Sequence, residues 1–129
     1  MKLSNKFFQK VSNSHISLGI PASYSNDCGL PFCEEPSSLV DTELDFYRRP
    51  QKLTPAALQA WTKLRSAADS AGVNLFLISA FRSLEYQHEL INKKLLQGQI
   101  IEDILKVNAA PGYSEHHTGR AVDIGTVGC

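Results

Sequence analysis

The chain has 129 residues, 43% of them hydrophobic, which suits one domain with one core and argues against disorder along the whole chain. Its 13 basic residues equal its 13 acidic residues, so the formal net charge is zero. Proteins that mainly bind nucleic acid or an anionic membrane carry a basic excess, so this balance argues against both classes. Nothing in the composition indicates the oligomeric state.

The start of the sequence shows no signal peptide. Its apolar cluster, Phe7-Phe8, is interrupted by Gln9 and Lys10, whereas a secretory segment needs about 7–15 continuous apolar residues. No stretch approaches the roughly 20 apolar residues of a membrane span. We therefore expect the chain to be cytoplasmic as written, with action on the cell wall only after a lysis system or another route releases it.

Three cysteines, Cys28, Cys33 and Cys129, are an odd number, so no complete disulfide framework is predicted. Cys28 and Cys33 could pair in an oxidising compartment. Without a signal peptide, two free thiols in a loop are the favoured interpretation. A zinc site built from these cysteines is not expected, because structural zinc usually has two close pairs of ligands.

Glycine, proline and small polar residues interrupt residues 1–52 repeatedly, and no apolar period persists there. We predict an irregular N-terminal region over residues 1–52 that wraps the core, with a short strand near residues 44–47. The regular elements are then expected in a second unit, residues 53–129.

The second unit begins with a well-marked helix. Thr54 can cap a helix over residues 55–71, and Gly72 can end it in a left-handed turn. A second helix is predicted over residues 84–97, followed by a short third helix over residues 100–107. Each of these segments repeats apolar residues at three- and four-residue steps.

Two strands are predicted around these helices. Residues 73–80 are short, nearly all apolar and rich in β-branched and aromatic side chains, which indicates a strand buried on both faces. After a loop over residues 108–119, the alternation at residues 121–124 suits the start of another strand. Because no regular β-α-β alternation appears, the predicted fold class is α+β, a small mixed domain with helices packed on an antiparallel-type sheet.

The loop and the last strand carry the candidate chemistry. A histidine in a loop, His116, and a carboxylate on the following strand, Asp123, can converge on one point. Zinc accepts imidazole nitrogen and carboxylate oxygen at about 2.0–2.2 Å. A lone pair of this kind is weak evidence, since many are a surface histidine and a solvated aspartate.

The surrounding pattern is more specific. Ser114-x-His116-x-x-Gly119-x-Ala121-x-Asp123 resembles the zinc-binding motif of the VanY-like D-alanyl-D-alanine carboxypeptidase family, and every fixed position of that motif is filled. A second element of the family lies upstream as Ser79-Ala80-Phe81-Arg82-Ser83, with Gln87 five residues after the arginine. The resemblance covers roughly residues 51–125.

This resemblance implies a role for each matching position. His116 and Asp123 look like the first two zinc ligands. Arg82 looks like the catalytic cation that meets the negative charge of the substrate or of the developing oxyanion. Ser114 and Gln87 look like contacts to a peptidoglycan peptide, and Ser79 looks like a support for Arg82.

Other interpretations of single residues stay open. Arg82 could form a surface ion pair at the strand end, and Gln87 could be ordinary helix surface. His88, on an apolar stripe, is better explained as a hydrogen-bonded core histidine. The side chain of His117 should point away from the site, and Glu115 is not expected to be the general base.

The family supplies a third ligand, a histidine, and a general base, a glutamate, from a segment well after the aspartate. Residues 124–129 contain neither. We therefore expect a truncated form of a longer enzyme, with the C-terminal part of the fold missing; a split protein and a fold kept for binding are the alternatives. Cys129 is an improbable substitute ligand.

The predicted function is a zinc-dependent D-alanyl-D-alanine carboxypeptidase-type hydrolase, incomplete in this chain. The alternatives are a catalytically inactive binder of peptidoglycan peptides and an endolysin-type peptidase that cuts an L-Ala-D-Glu bond.

Overall fold

The computed structural model describes residues 2–127 of the chain. Helices and short strands follow one another in the order α1 (Lys2–Leu18), α2 (Tyr24–Asp27), β1 (Val40–Asp41), β2 (Lys52–Leu53), α3 (Pro55–Ser70), β3 (Leu75–Ser79), α4 (Leu84–Leu96), α5 (Ile101–Val107), a 3₁₀ helix (Glu115–Thr118) and β4 (Asp123–Thr126). None of the helices in this part of the chain is long and apolar enough to span a membrane.

The strands form two antiparallel pairs. β1 pairs with β2, and β3 pairs with β4, with Leu77 opposite Ile124 and Ser79 opposite Asp123. The register shifts between Leu77 and Ser79, at the end of β3 that faces the candidate site. The α+β class with antiparallel strands is therefore confirmed.

The prediction that β3 is buried on both faces is wrong. Leu77 and Ser79 are buried, whereas Leu75, Phe76 and Ile78 are half-buried. In the described residues β3 pairs only with β4.

The helix ends are as predicted. The Thr54 side chain accepts a hydrogen bond from the Ala57 N–H, and α3 ends before Gly72, which has a φ of +79°. Ser83 caps α4 in the same way, by accepting from the Tyr86 N–H. These signals are local, so the sequence alone was sufficient to predict them.

The prediction of an irregular N-terminal region is wrong for residues 2–18, which form α1. The helix buries Val11, Ser14 and Leu18, three positions on one face. Ser14 interrupts the apolar period of that face. It can be buried there because its hydroxyl lies 2.7 Å from Nδ1 of His88 on α4 and forms a hydrogen bond with it. The polar pair explains why no apolar stripe was visible in the sequence.

The short strand predicted near residues 44–47 is also absent. Asp45 instead organises a turn, in which its carboxylate accepts hydrogen bonds from the backbone N–H groups of Tyr47 and Arg49. Arg48, inside the turn, has a φ of +64°. Nothing in the structure tests the division of the chain after residue 52, which stays a prediction.

The described residues have two apolar clusters. In the first, Val11, Leu18 and Ile20 from the N-terminal region pack with residues of α4, α5 and the following loop, namely Leu84, Ile91, Ile104, Ala110 and Tyr113. In the second, Leu53, Trp61, Leu77 and Ala80 join β2, α3 and the end of β3. The N-terminal region does contribute to the core, as predicted, but as a helix.

Cys28 and Cys33 are free thiols in this structure, in agreement with the favoured interpretation. Cys129 lies outside the described residues.

Candidate active site

The site forms where the chain leaves β3, at residues 80–82. Each backbone N–H of this corner has a partner from another segment. The Ala80 N–H donates to Oε1 of Gln51 at 2.8 Å, and the Phe81 N–H donates to the Lys52 carbonyl at 3.0 Å. The Arg82 N–H donates to the His116 carbonyl at 3.1 Å. The corner is therefore held by β2 on one side and by the loop before β4 on the other.

The loop that carries His116 is shaped by two features of its sequence. The Ser114 hydroxyl accepts from the His116 N–H at 3.2 Å and so begins the 3₁₀ helix. Gly119 ends it with a φ of +70°, a conformation that favours glycine. A Cβ at Gly119 would lie 2.8 Å from a methyl carbon of Leu39 and 3.2 Å from one of Thr54, so the position also requires the smallest residue.

His116 is buried, and its ring has one defined orientation. Nδ1 lies 2.7 Å from the Ala80 carbonyl oxygen, which can only accept, so Nδ1 carries the proton. Nε2 faces Asp123, whose Oδ2 is 3.4 Å away. A histidine whose Nδ1 donates to a carbonyl in this way has Nε2 available as a metal ligand.

Arg82 reaches the same carboxylate oxygen. Its Nη2 lies 3.3 Å from Oδ2 of Asp123, and its Nε donates to the Ser79 hydroxyl at 3.0 Å. The contact with Ser79 fits the predicted supporting role. The arginine does form an ion pair at the strand end, but its partner is the predicted zinc ligand rather than an unrelated surface carboxylate.

Gln87 does not lie on the helix surface, so that alternative is wrong. Its side chain is only 2% exposed, and its Nε2 donates to the Ala109 carbonyl at 2.8 Å. Its Oε1 has no hydrogen-bond partner among the described residues. An unpaired buried acceptor is costly, and burial also keeps this oxygen out of reach of a substrate in the present conformation. Its substrate role, like that of the buried Ser114, stays a prediction.

His117 holds the loop in place rather than facing the site. It is fully buried, with Nδ1 2.7 Å from the Arg82 carbonyl and Nε2 accepting from the Gly112 N–H at 3.0 Å. Burial lowers the pKa of His117 below 6.5, and the hydrogen bond to the Arg82 carbonyl opposes this only in part. It points away from Asp123, as expected, and ties the loop to the corner. His88 forms a hydrogen bond with Ser14, as predicted, but it is half-buried rather than part of the core.

Sequence reasoning also missed residues of the N-terminal region. Oε2 of Glu35 accepts from the Leu84 N–H at 2.7 Å, and so holds the segment before β1 against the start of α4. Asp45 and Gln51 lie behind the Ala80 corner. No motif marks these three residues, because their contacts join segments that are far apart in sequence.

The His116–Asp123 pair fits two positions of a zinc site. Two ligands at about 2.0–2.2 Å from one tetrahedral ion lie about 3.3–3.6 Å apart, and the observed separation is 3.4 Å. Within residues 2–127, no group of three His, Cys, Asp or Glu side chains could hold a metal. The described residues therefore supply two ligands, one fewer than a catalytic zinc usually has from the protein.

The sequence model of the VanY family, described as D-alanyl-D-alanine carboxypeptidase, matches residues 50–129, which is most of the chain. The chain belongs to this family. The putative carboxypeptidase YodJ of Bacillus subtilis (strain 168) is 35% identical over an alignment of 100 residues, and the match covers 74% of this chain and 36% of YodJ. The residues that match the family model include both sequence blocks that form the corner and the loop.

Solved structures of VanY-like proteins share the fold. The LD-carboxypeptidase LdcB is 32% identical, with a TM-score of 0.62, and the match covers 74% of this chain and 46% of LdcB. A mutant of the vancomycin-resistance D,D-pentapeptidase VanY in complex with Zn(II) is 24% identical, with a TM-score of 0.55, over 74% of this chain and 57% of that one. VanYB in complex with D-alanine-D-alanine is 22% identical, with a TM-score of 0.56, over 79% and 62%.

The chain thus spans between 36% and 62% of the length of these relatives.

Proposed function

We propose that this chain carries two zinc ligands of a zinc-dependent D-alanyl-D-alanine carboxypeptidase-type hydrolase that acts on peptidoglycan peptides. The observation that carries the proposal is the 3.4 Å separation of His116 Nε2 and Asp123 Oδ2, with the His116 ring held from its other side by the Ala80 carbonyl. His116 and Asp123 would hold the zinc. A bound zinc would lower the pKa of a water molecule and polarise the carbonyl of the scissile bond.

Arg82 would provide the positive charge of the site. Its guanidinium lies beside Asp123 and is oriented by Ser79, so its remaining N–H groups can meet a substrate carboxylate or a developing oxyanion. The cleft beside it, of roughly 140 Å³, is lined by Arg49, Tyr86 and the corner residues. Ser114 and Gln87, both buried beside the site, would contact the peptide only after a local rearrangement.

Turnover by the 129-residue chain should be weak. No third ligand accompanies the pair within residues 2–127, and we assign the general base to none of the described residues. General-base assistance alone is worth about 10²–10⁴-fold in rate. We therefore expect zinc binding to be easier to detect than release of D-alanine.

A catalytically inactive binder of peptidoglycan peptides is the second candidate, and the two-ligand count is the observation that favours it. In that case Arg82, Gln87 and Ser114 would bind the peptide without metal chemistry.

The test begins with zinc content after dialysis and continues with peptides that end in D-Ala-D-Ala. Bound zinc together with release of D-alanine would support the hydrolase. A tetrapeptide with one terminal D-Ala tests the LD-carboxypeptidase activity suggested by the likeness to LdcB, and whole peptidoglycan tests for a cut between L-Ala and D-Glu. A chain that binds no zinc and releases nothing would exclude hydrolysis by this form.

Binding separates the second candidate from the first. A muropeptide that still binds in the presence of a chelator, and no longer binds to Arg82→Ala, would identify a metal-independent binder. Arg65→Ala is the matched control, because Arg65 also pairs with a carboxylate, Glu43, but lies on α3. Loss of binding in both variants would point to a general effect on the fold.

A further inference from the structure

A buried chain of hydrogen bonds runs from Asp45 to His116. Oδ2 of Asp45 accepts from Nε2 of Gln51 at 2.8 Å, and Oε1 of Gln51 accepts from the Ala80 N–H at 2.8 Å. The Ala80 carbonyl in turn accepts from Nδ1 of His116 at 2.7 Å. Asp45, Gln51 and Ala80 are all buried, so water does not compete for these bonds.

We infer that Asp45 and Gln51 are positioning residues for His116: through Ala80 they fix the tautomer and orientation in which Nε2 faces Asp123. The inference deepens the proposed function. It rests on that function in one respect, namely that His116 is positioned in order to bind a metal. Asp45 lies outside residues 50–129, the part of the chain that matches the family.

This chain of hydrogen bonds from Asp45 through Gln51 and Ala80 to His116, called the relay below, has one direction, which follows from donor and acceptor chemistry. Asp45 accepts four hydrogen bonds, from Gln51, from the Tyr47 N–H, and from the N–H and Nε of Arg49. An ionised carboxylate only accepts, so the Gln51 side chain must turn its NH₂ toward Asp45. Its oxygen then necessarily faces Ala80, whose N–H only donates.

Gln51 and its neighbour Lys52 together hold the backbone on both sides of Ala80. While the Gln51 side chain holds the Ala80 N–H, the neighbouring Lys52 carbonyl holds the Phe81 N–H at 3.0 Å. That N–H belongs to the peptide plane whose carbonyl oxygen is bonded to His116. Rotation of this plane would therefore break two hydrogen bonds at once, and this defines the direction in which the carbonyl meets Nδ1.

Two variants remove the relay in different ways. Gln51→Met keeps the length of the side chain and removes both hydrogen bonds. Asp45→Asn places an NH₂ group against that of Gln51, which favours a flipped glutamine and a donor facing the Ala80 N–H. Ile91→Val is the control, because it trims the other apolar cluster, which contains none of these residues.

The experiment uses the ¹⁵N imidazole spectrum of the metal-free protein, followed by a zinc titration. We expect His116 to be a single Nδ1–H tautomer in the wild type and in Ile91→Val. In Gln51→Met and Asp45→Asn we expect the Nε2–H tautomer to become comparably populated, and zinc affinity to fall by about 10–100-fold.

A single Nδ1–H tautomer in either folded relay variant would overturn the inference. So would a dominant Nε2–H tautomer in the wild type, a result that needs no variant to fold. If the wild type binds no zinc but the relay variants change the tautomer, the proposed zinc function fails while the positioning of His116 by Asp45 and Gln51 stands.

Discussion

Nε2 of His116 lies 3.4 Å from Oδ2 of Asp123, at the end of the β3–β4 pair where Asp123 is opposite Ser79. The two residues come from different elements, the 3₁₀ helix and β4. Arg82 Nη2 lies 3.3 Å from the same oxygen. One carboxylate oxygen thus joins the candidate ligand pair to the candidate catalytic cation, and each contact can be tested separately.

Removal of either ligand should abolish most of the zinc binding. In His116→Gln and Asp123→Asn we expect the zinc affinity to fall by more than about 100-fold. Loss of a residue that only forms a hydrogen bond with a metal ligand already lowers metal affinity by about 10–100-fold. Competition with a zinc-binding dye would measure this. His88→Gln is the control, because His88 forms a hydrogen bond with Ser14 on α1, away from the pair. Equal affinity in wild type and both ligand variants would contradict the assignment.

The parts of the fold that the sequence predicted are those with local causes. The caps at Thr54 and Ser83 and the left-handed Gly72 act within a few residues, so α3 and α4 were predictable. The burial of α1 depends on a polar pair, Ser14 with His88, that only the folded chain brings together. The period of apolar residues cannot reveal a helix whose buried face includes such a pair.

The same distinction applies to the site. His116 and Asp123 were predictable because a recognisable motif contains both. Asp45 and Gln51 were not, because a buried carboxylate that holds a glutamine leaves no pattern in the sequence. The free Oε1 of Gln87 required the structure as well, since a glutamine on a helix is exposed more often than it is buried.

Arg82→Lys should weaken peptide binding without unfolding the chain. A lysine keeps the charge but loses the planar fork and the Nε–H that donates to Ser79. We expect the affinity for a peptide ending in D-Ala-D-Ala to fall about tenfold, which corresponds to one lost charge-assisted hydrogen bond of roughly 1.5 kcal/mol. Calorimetric titration of the peptide would measure the change.

Arg65→Lys provides the comparison for that experiment. Arg65 pairs with Glu43 away from the corner, so its replacement by lysine should leave peptide affinity unchanged. If both lysine variants bind as well as the wild type, Arg82 does not contact the peptide through its guanidinium fork.

Asp45 should make stability depend on pH in the acid range. Burial alone would raise the pKa of Asp45, but hydrogen bonds from Arg49, Tyr47 and Gln51 outweigh it and hold the pKa below 3.8. The unfolded chain therefore binds a proton at a higher pH than the folded chain does. The contribution of Asp45 to stability is complete above about pH 4 and is lost as pH falls through the lower, folded pKa.

Asp45→Asn isolates this contribution. It leaves donors of Arg49 and Gln51 facing an amide, so we expect the free energy of unfolding at pH 7 to fall by about 1–3 kcal/mol. Urea unfolding at several pH values would also show a shallower loss of stability below about pH 4 in the variant. Identical acid slopes in the two proteins would mean that Asp45 has the same pKa folded and unfolded.

Gly119 should tolerate alanine much less well than Gly98. Both have a positive φ, +70° and +93°, so alanine at either position has the strained backbone of a left-handed residue, about 1–2 kcal/mol. A Cβ at Gly98 would meet open space, whereas at Gly119 it would lie 2.8 Å from a side-chain carbon of Leu39. We expect this contact to cost about 1–3 kcal/mol more in Gly119→Ala.

Urea unfolding of the two alanine variants would measure the difference directly, with Gly98→Ala as the reference for the backbone strain alone. Because Gly119 follows the 3₁₀ helix that carries His116, displacement of the loop should also weaken zinc binding in Gly119→Ala but not in Gly98→Ala. Equal losses of stability in both variants would mean that Leu39 moves aside freely, and that the glycine is required only for its backbone conformation.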